Sequence, residues 1–173
     1  MEELRYPIGK YVPQPFSDKQ MQDWLVDIKF LPLHLENALL NLDERQLNTP
    51  YRPEGWTVKQ LVHHVADSHA NAYIRFKLGL TEDNPPVKPY SEKEWALLND
   101  VQTVPINVSL TWLHAMHQRW VATIKDLTDE QWQRTVLHPQ HNEISLWFLL
   151  GMYAWHGKHH TAHITTLREQ NNW

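Results

Sequence analysis

Four long segments with helical periodicity, separated by prolines and Asx residues, constrain this fold more than any other feature. They span 17–42, 57–80, 109–127 and 145–170, and the chain has only five glycines and little β-type alternation. We predict an all-α four-helix bundle forming one domain over 1–173. Short helices are expected in the connections, at 43–46, 91–98 and 128–133. Residues 1–15 are predicted to be an extended arm, and the long connection 81–108 is expected to cross one end of the bundle. Pro32 should kink or break the first helix.

Charge and composition exclude several classes of protein. Sixteen basic and twenty acidic residues give a net charge of −4, without the basic clusters of a nucleic-acid-binding protein. No apolar run approaches the ~20 residues that span a bilayer, and the first residues lack a signal-peptide pattern. The chain has no cysteine, which suits a reducing compartment. We therefore expect a cytoplasmic protein with no nucleic-acid or membrane partner.

The twelve histidines are the unusual part of the composition, and several fall on one side of the fourth segment. A helix advances about 100° per residue, so one stripe carries Leu149, Tyr153, His156, His160, His163 and Leu167. Thr161, Thr165 and Glu169 lie on the opposite side, so the histidine stripe is predicted to face inward. Buried imidazoles need hydrogen-bond partners or a metal ion on their ring nitrogens.

The second segment carries a matching polar stripe of His64, Asp67, Ser68, Asn71 and Arg75. It is either a solvent face or a second wall of the same interior site, and its wide apolar flank favours the site. Two histidines at i and i+4 plus a third from another helix can hold one divalent ion with free positions for other ligands. The sequence offers two such pairs, His156/His160 and His159/His163, and the centre of the stripe slightly favours the first.

Two long blocks resemble a known family. G-W-T-V-K-Q-L-V-H-H-V-A-D-S-H at 55–69 and Y-A-W-H-G-K-H-H-T-A-H-I at 153–164 are similar to the DinB-like superfamily. Within it the closest likeness is to the YfiT group of candidate metal-dependent hydrolases, associated with bacillithiol transfer. The resemblance implies a DinB-like four-helix bundle, frequent homodimers, and metal ligands at His64, His156 and His160. It places Asp67 as the acid of the first block.

The remaining candidates keep open alternatives. Asp67 is expected either to orient His64 by hydrogen bonding or to pair with Arg75 or another base. His159 and His163 are expected to line the pocket or to hold the bundle together, and Trp56 is a candidate for substrate contact. Six other histidines are interpreted as surface or hydrogen-bonded core residues, namely His63, His69, His114, His117, His138 and His141.

The leading functional hypothesis is an enzyme with one divalent metal ion per chain, zinc or alternatively nickel. It would transfer a low-molecular-weight thiol, bacillithiol, to a small electrophile. Because the chain has no cysteine, the sulfur must come from a cosubstrate. One alternative is a metal-dependent hydrolase of a small amide or ester. Another is a non-catalytic metal-binding helical protein.

Overall fold

Four long helices form the frame of this computed structural model, which describes residues 2–173. They are α2 (Asp18–Leu39), α4 (Val58–Thr81), α7 (Ile106–Ile124) and α9 (Leu146–Asn171). The connections hold α1 (Glu2–Arg5), α3 (Glu44–Leu47), α5 (Glu92–Trp95), α6 (Asn99–Thr103) and α8 (Asp129–Trp132). Two short strands, β1 (Thr135–His138) and β2 (Asn142–Ser145), form an antiparallel hairpin. The predicted four-helix bundle is confirmed.

Side-chain caps begin three of the long helices where the sequence predicted. The hydroxyls of Ser17, Thr57 and Ser145 each accept a hydrogen bond from a backbone N–H in the first turn. Thr57 and Gln60 form a complete capping box. These caps fix the start of α4 and α9, and therefore the height of the histidines along both helices.

The contacts between helices show that one neighbouring pair is parallel and another is antiparallel. His63 and His69 on α4 contact Ser109 and His117 on α7, so the two helices run in the same direction. His64 on α4 meets His160 on α9 whereas Arg75 meets Tyr153, so this pair is antiparallel. Two consecutive long helices that run in the same direction require a connection that returns along the length of the bundle.

That connection covers residues 82–105. Lys59 and Gln60, near the start of α4, donate to the carbonyl oxygens of Gln102 and Ala96. The segment therefore runs back along the bundle, and the expectation that it crosses one end was wrong. This return path places Tyr90 and Glu92 over the groove between α4 and α9, beside the histidines.

The apolar core is divided into two clusters. One is built around Phe76, Trp120 and Trp132, and the other around Leu35, Leu61 and Leu113. Along each long helix the two clusters are separated by a few residues, and on α4, α7 and α9 these include buried histidines. The bundle therefore contains a polar layer between two apolar ones.

The contact between α2 and α9 depends on two glycines of α9. A Cβ atom at Gly151 would lie 2.5 Å from the Trp24 ring, and one at Gly157 would lie 2.7 Å from Leu31. Their missing side chains allow the backbone of α9, which carries four of the predicted site histidines, to approach α2 closely.

Several local expectations need correction. α2 continues through Pro32 without a break, and α7 begins at Ile106 rather than at 109 because Pro105 occupies the position before its first turn. Residues 2–5 of the predicted extended arm form a helical turn. The hairpin was not predicted, since four-residue strands are too short for alternation to be visible. In the described part of the chain, no helix combines the length and apolarity that membrane crossing requires.

We expect Gly151→Ala to lower the free energy of unfolding by ~1–3 kcal/mol, because the new methyl group overlaps the rigid Trp24 ring. Gly157→Ala is the matched variant on the same helix, and it should cost less because the Leu31 side chain can rotate away. Urea unfolding of both variants tests this order. Equal or greater stability of Gly151→Ala than of the parent would contradict it.

Candidate metal centre

Three histidine Nε2 atoms converge where α4 faces α9. Nε2 of His156 lies 3.3 Å from Nε2 of His64 and 3.1 Å from Nε2 of His160. One potential ligand atom from each of the three side chains lies within 4.8 Å of the other two. His156 and His160 are one helical turn apart on α9, and His64 comes from the antiparallel helix. The structure thus brings together the three residues that the sequence had selected.

Burial keeps these imidazoles neutral. His64 and His160 are 4% and 7% exposed, and His156 keeps partial exposure toward two cavities. Burial lowers the pKa of His64 to about 4, and it lowers the pKa of His156 and of His160 well below 6.5, reinforced by neighbouring histidines. Neutral rings each present one nitrogen lone pair, which is the form that binds metals.

The donor set fits a divalent first-row ion. Zn–N bonds of about 2.0–2.1 Å place tetrahedral ligand nitrogens about 3.3 Å apart, and right-angled ligands about 2.9 Å apart. The two Nε2 separations of 3.1 and 3.3 Å lie in this range. In addition, Nδ1 of His64 and of His160 is buried without a hydrogen-bond partner in residues 2–173, so Nε2 is the only nitrogen of either ring with an assigned contact.

A second histidine group lies next to the first. His159, His160 and His163 bring their ring nitrogens within 4.8 Å of one another, and Nε2 of His159 is 3.1 Å from Nε2 of His163. All three come from α9. Successive residues point about 100° apart on a helix, so His159 and His160 diverge as ligands of one ion. The group that spans α4 and α9 is the better metal site.

Two cavities meet at His156. The larger has a volume of 680 Å³, and its wall includes Arg75, Tyr90, Phe148, Met152 and Tyr153. The smaller has a volume of 390 Å³, and its wall includes Arg5, Arg52, Trp56, Lys93 and His64. Glu92 also lines both. A molecule in either cavity therefore has access to the side of His156.

Three of the other predicted site residues, Trp56, His159 and His163, line the smaller cavity. Trp56 packs on His64 with ring centroids 4.5 Å apart. His159 stacks on Trp155, and His163 packs on Tyr51 at 4.2 Å. Trp56, His159 and His163 therefore line the wall of the smaller cavity, and Tyr51 also belongs to the apolar cluster around Leu61.

Neither expected contact of Asp67 forms. Nδ1 of His64 has no hydrogen-bond partner in the described residues, and Arg75 donates instead to the hydroxyl of Tyr153 and the carbonyl of Lys88. Burial, followed by the charge of Asp100, raises the pKa of Asp67 to about 6. Asp67 is also absent from the walls of both cavities. The orienting role inferred for it from sequence is not supported.

Three residues at the site, Glu92, Tyr90 and His69, were not predicted from the sequence. Glu92 and Tyr90 lie in the connection 82–105, whose path is not visible in helical periodicity. His69, interpreted as a surface or core histidine, places its Nε2 3.1 Å from Nδ1 of His156. Five residues separate His69 from His64, which puts it about 140° away on α4, so the ligand stripe could not include it.

Comparisons with known proteins identify a family and relatives for this chain. Residues 33–164 match the family model described as the DinB superfamily. A Bacillus cereus protein named as a candidate metal-dependent hydrolase is 50% identical over 174 residues, covering 100% of both chains. YfiT from Bacillus subtilis, described as a candidate metal-dependent hydrolase with an unusual four-helix bundle topology, is 46% identical with a TM-score of 0.95 and 99% coverage of both chains.

A more distant solved structure shares only the fold. It is a mycothiol-dependent maleylpyruvate isomerase, 18% identical with a TM-score of 0.59. The likeness covers 80% of this chain and 59% of that protein.

The buried histidines predict how stability depends on pH. Their folded-state pKa values lie below the usual 6.5, as at His64, so the unfolded chain binds more protons between pH 6.5 and about 4. The stability of the metal-free protein should therefore be fully present above pH 6.5 and fall as pH drops, by up to ~1.4 kcal/mol per pH unit for each such histidine. Asp67, with a raised pKa, opposes this trend by one proton.

Urea unfolding of the metal-free protein between pH 8 and pH 4.5 measures this slope. A free energy of unfolding that stays constant from pH 7.5 to pH 5 would show that the histidines are not held neutral.

Proposed function

This chain belongs to the DinB superfamily, and we propose that it is a metal-dependent enzyme that transfers a low-molecular-weight thiol to a small electrophile. His64, His156 and His160 would hold one divalent ion, for which zinc is the first choice and nickel the second. Bacillithiol is the proposed thiol. The observation that carries the proposal is the convergence of three neutral Nε2 atoms at the junction of two cavities.

The chemistry requires an acidified nucleophile. A divalent ion on three imidazoles lowers the pKa of a thiol or a water molecule beside it. With no cysteine in the chain, the protein offers no thiol nucleophile of its own. A thiol cosubstrate would supply the sulfur.

Two cavities suit a reaction with two substrates. The smaller cavity has three cationic side chains, Arg5, Arg52 and Lys93, and two carboxylates, Glu54 and Glu92. The cations exceed the carboxylates by one, and this excess favours an anionic thiol. The larger cavity has apolar walls at Phe148, Leu149 and Met152, which favour the carbon skeleton of an electrophile. His156 lies between them, so the two reactants would meet at the proposed metal site.

The proposed step is a substitution at carbon. The thiol loses its proton to solvent, its sulfur electron pair forms the C–S bond, and the C–X bond of the electrophile breaks. The leaving group X departs with the electron pair of the broken C–X bond. Arg75, on the wall of the larger cavity, is the side chain suited to stabilise the developing negative charge.

A hydrolase is the second candidate, and Glu92 favours it. This carboxylate lines both cavities, and burial raises its pKa while Arg75 opposes the rise. A carboxylate with a raised pKa is suited to accept a proton from an attacking water molecule. The relatives' names also point to hydrolysis. Glu92→Gln should therefore abolish ester cleavage if the protein is a hydrolase, but leave thiol transfer largely intact.

The metal site is tested by elemental analysis of tag-free protein. We expect about one equivalent of metal in the parent protein and its loss in His64→Ala, His156→Ala and His160→Ala, because each variant leaves only two ligands. His159→Ala is the matched control, and it should retain the ion. Loss in His159→Ala and His163→Ala with retention in His64→Ala would place the ion in the second histidine group instead. No metal after reconstitution would refute the catalytic proposal.

The reaction is tested with a chlorinated nitroaromatic electrophile and a panel of thiols. Turnover only when thiol is present, lost in His160→Ala, is the expected result. Cleavage of a small ester without thiol would identify the hydrolase instead. Metal binding with neither activity would support the hypothesis of a non-catalytic metal-binding protein.

A further inference from the structure

A chain of hydrogen bonds leads from His156 into the core. Nδ1 of His156 is 3.1 Å from Nε2 of His69, and Nδ1 of His69 is 3.1 Å from Nε2 of His117. Nδ1 of His117 is 2.6 Å from the carbonyl oxygen of Ile28. His69 and His117 are 0% and 1% exposed, so this chain is shielded from solvent.

The final acceptor is available because of a proline. In a helix, the carbonyl of Ile28 would normally accept from the backbone N–H four residues later. That residue is Pro32, which lies inside α2 and has no N–H. The carbonyl is therefore left without its helical donor, and Nδ1 of His117 supplies one instead.

This carbonyl fixes the direction of every bond in the chain. A carbonyl oxygen only accepts, so Nδ1 of His117 must carry the proton and donate it. A neutral imidazole has one N–H, so Nε2 of His117 must accept from Nδ1 of His69. By the same rule Nε2 of His69 accepts from Nδ1 of His156. Nε2 of His156 then keeps its lone pair, directed at His64 and His160.

Aromatic neighbours hold the intermediate rings in place. His69 makes edge contacts with Trp120 and Tyr153, with ring centroids 5.8 and 5.2 Å apart, and His117 makes another with Trp120 at 5.4 Å. These contacts restrict rotation of both rings. They therefore preserve the order of donors and acceptors.

We propose that His69 and His117 are positioning residues that hold His156 in the Nδ1-protonated tautomer and direct its Nε2 toward the metal ion. The inference rests on the proposed metal site. His64 and His160 have no such support, since their Nδ1 atoms have no partner in the described residues. Among the three proposed ligands, His156 is therefore the one whose ring is fixed in advance.

The first test measures zinc affinity by competition with a chelator. We expect His69→Phe to weaken binding by ~10–100-fold, because residues that orient a ligand typically contribute that much. His63→Phe is the matched control. His63 is also a buried α4 histidine, and its ring nitrogens bond Ser109 and the carbonyl of Val104 rather than the ring of a proposed ligand. A loss in His69→Phe no larger than in His63→Phe would overturn the proposal.

A double-mutant cycle separates positioning from packing. His117→Phe removes the acceptor for Nδ1 of His69 without touching any ligand, and it should also weaken zinc binding. In the His69→Phe background, the same substitution should cause no further loss of affinity, because its effect passes through His69. Additive losses would contradict transmission along the chain.

The second test needs no variant. Ring ¹⁵N chemical shifts of the metal-free parent protein at pH 7.5 should show the proton on Nδ1 of His156, His69 and His117. A proton on Nε2 of His156 would overturn the inference. If the parent protein binds no zinc, the proposed metal site is refuted. The ¹⁵N shifts still show, independently of zinc, whether His69 and His117 hold His156 in the Nδ1-protonated tautomer.

Discussion

The rest of this structure depends on how ring nitrogens are satisfied where water is excluded. Inside a helical bundle the backbone carbonyls are already used within the helices, so a buried imidazole must find another side chain, a metal ion or an unused carbonyl. Here His64, His156 and His160 face one another, and His69 and His117 connect His156 to the carbonyl of Ile28. This polar layer separates the two apolar clusters.

The directions of the helices then decide what surrounds that layer. Because α4 and α7 are parallel, the chain must travel the length of the bundle between them. The returning segment brings Tyr90 and Glu92 to the groove above His156. The hairpin that follows α8 completes the other wall with His138 and Ile144. A simpler up-and-down order would leave the histidine layer without this enclosure.

Much of this arrangement could be predicted from periodicity and caps. The long helices and the caps at Ser17, Thr57 and Ser145 follow from local rules. The meeting of α4 with α9 was one of two interpretations of the polar stripe on α4, and the family resemblance favoured it. The path of residues 82–105 could not be predicted, since it depends on distant contacts such as that between Gln60 and Ala96. The prediction for Asp67 failed because the sequence does not show which side chains lie beside its carboxylate. Asp67 occupies a suitable position on the stripe, yet its carboxylate contacts neither expected partner.

The sequence left open whether His117 is a surface or a hydrogen-bonded core residue, and its position favours the core. On α7, His117 occupies the apolar stripe between Leu113 and Trp120, where a lone histidine requires a buried partner. The sequence does not identify that partner, because Ile28 lies on a different helix. Its carbonyl is free to accept from His117 because Pro32, four residues later, has no N–H. By helix propensity alone, a proline inside α2 lowers the stability of the helix by about 3 kcal/mol relative to alanine. It is better understood as a trade-off. Selection for thermal stability alone would replace Pro32 with a residue that has a backbone N–H. That N–H would compete with His117 for the carbonyl oxygen of Ile28.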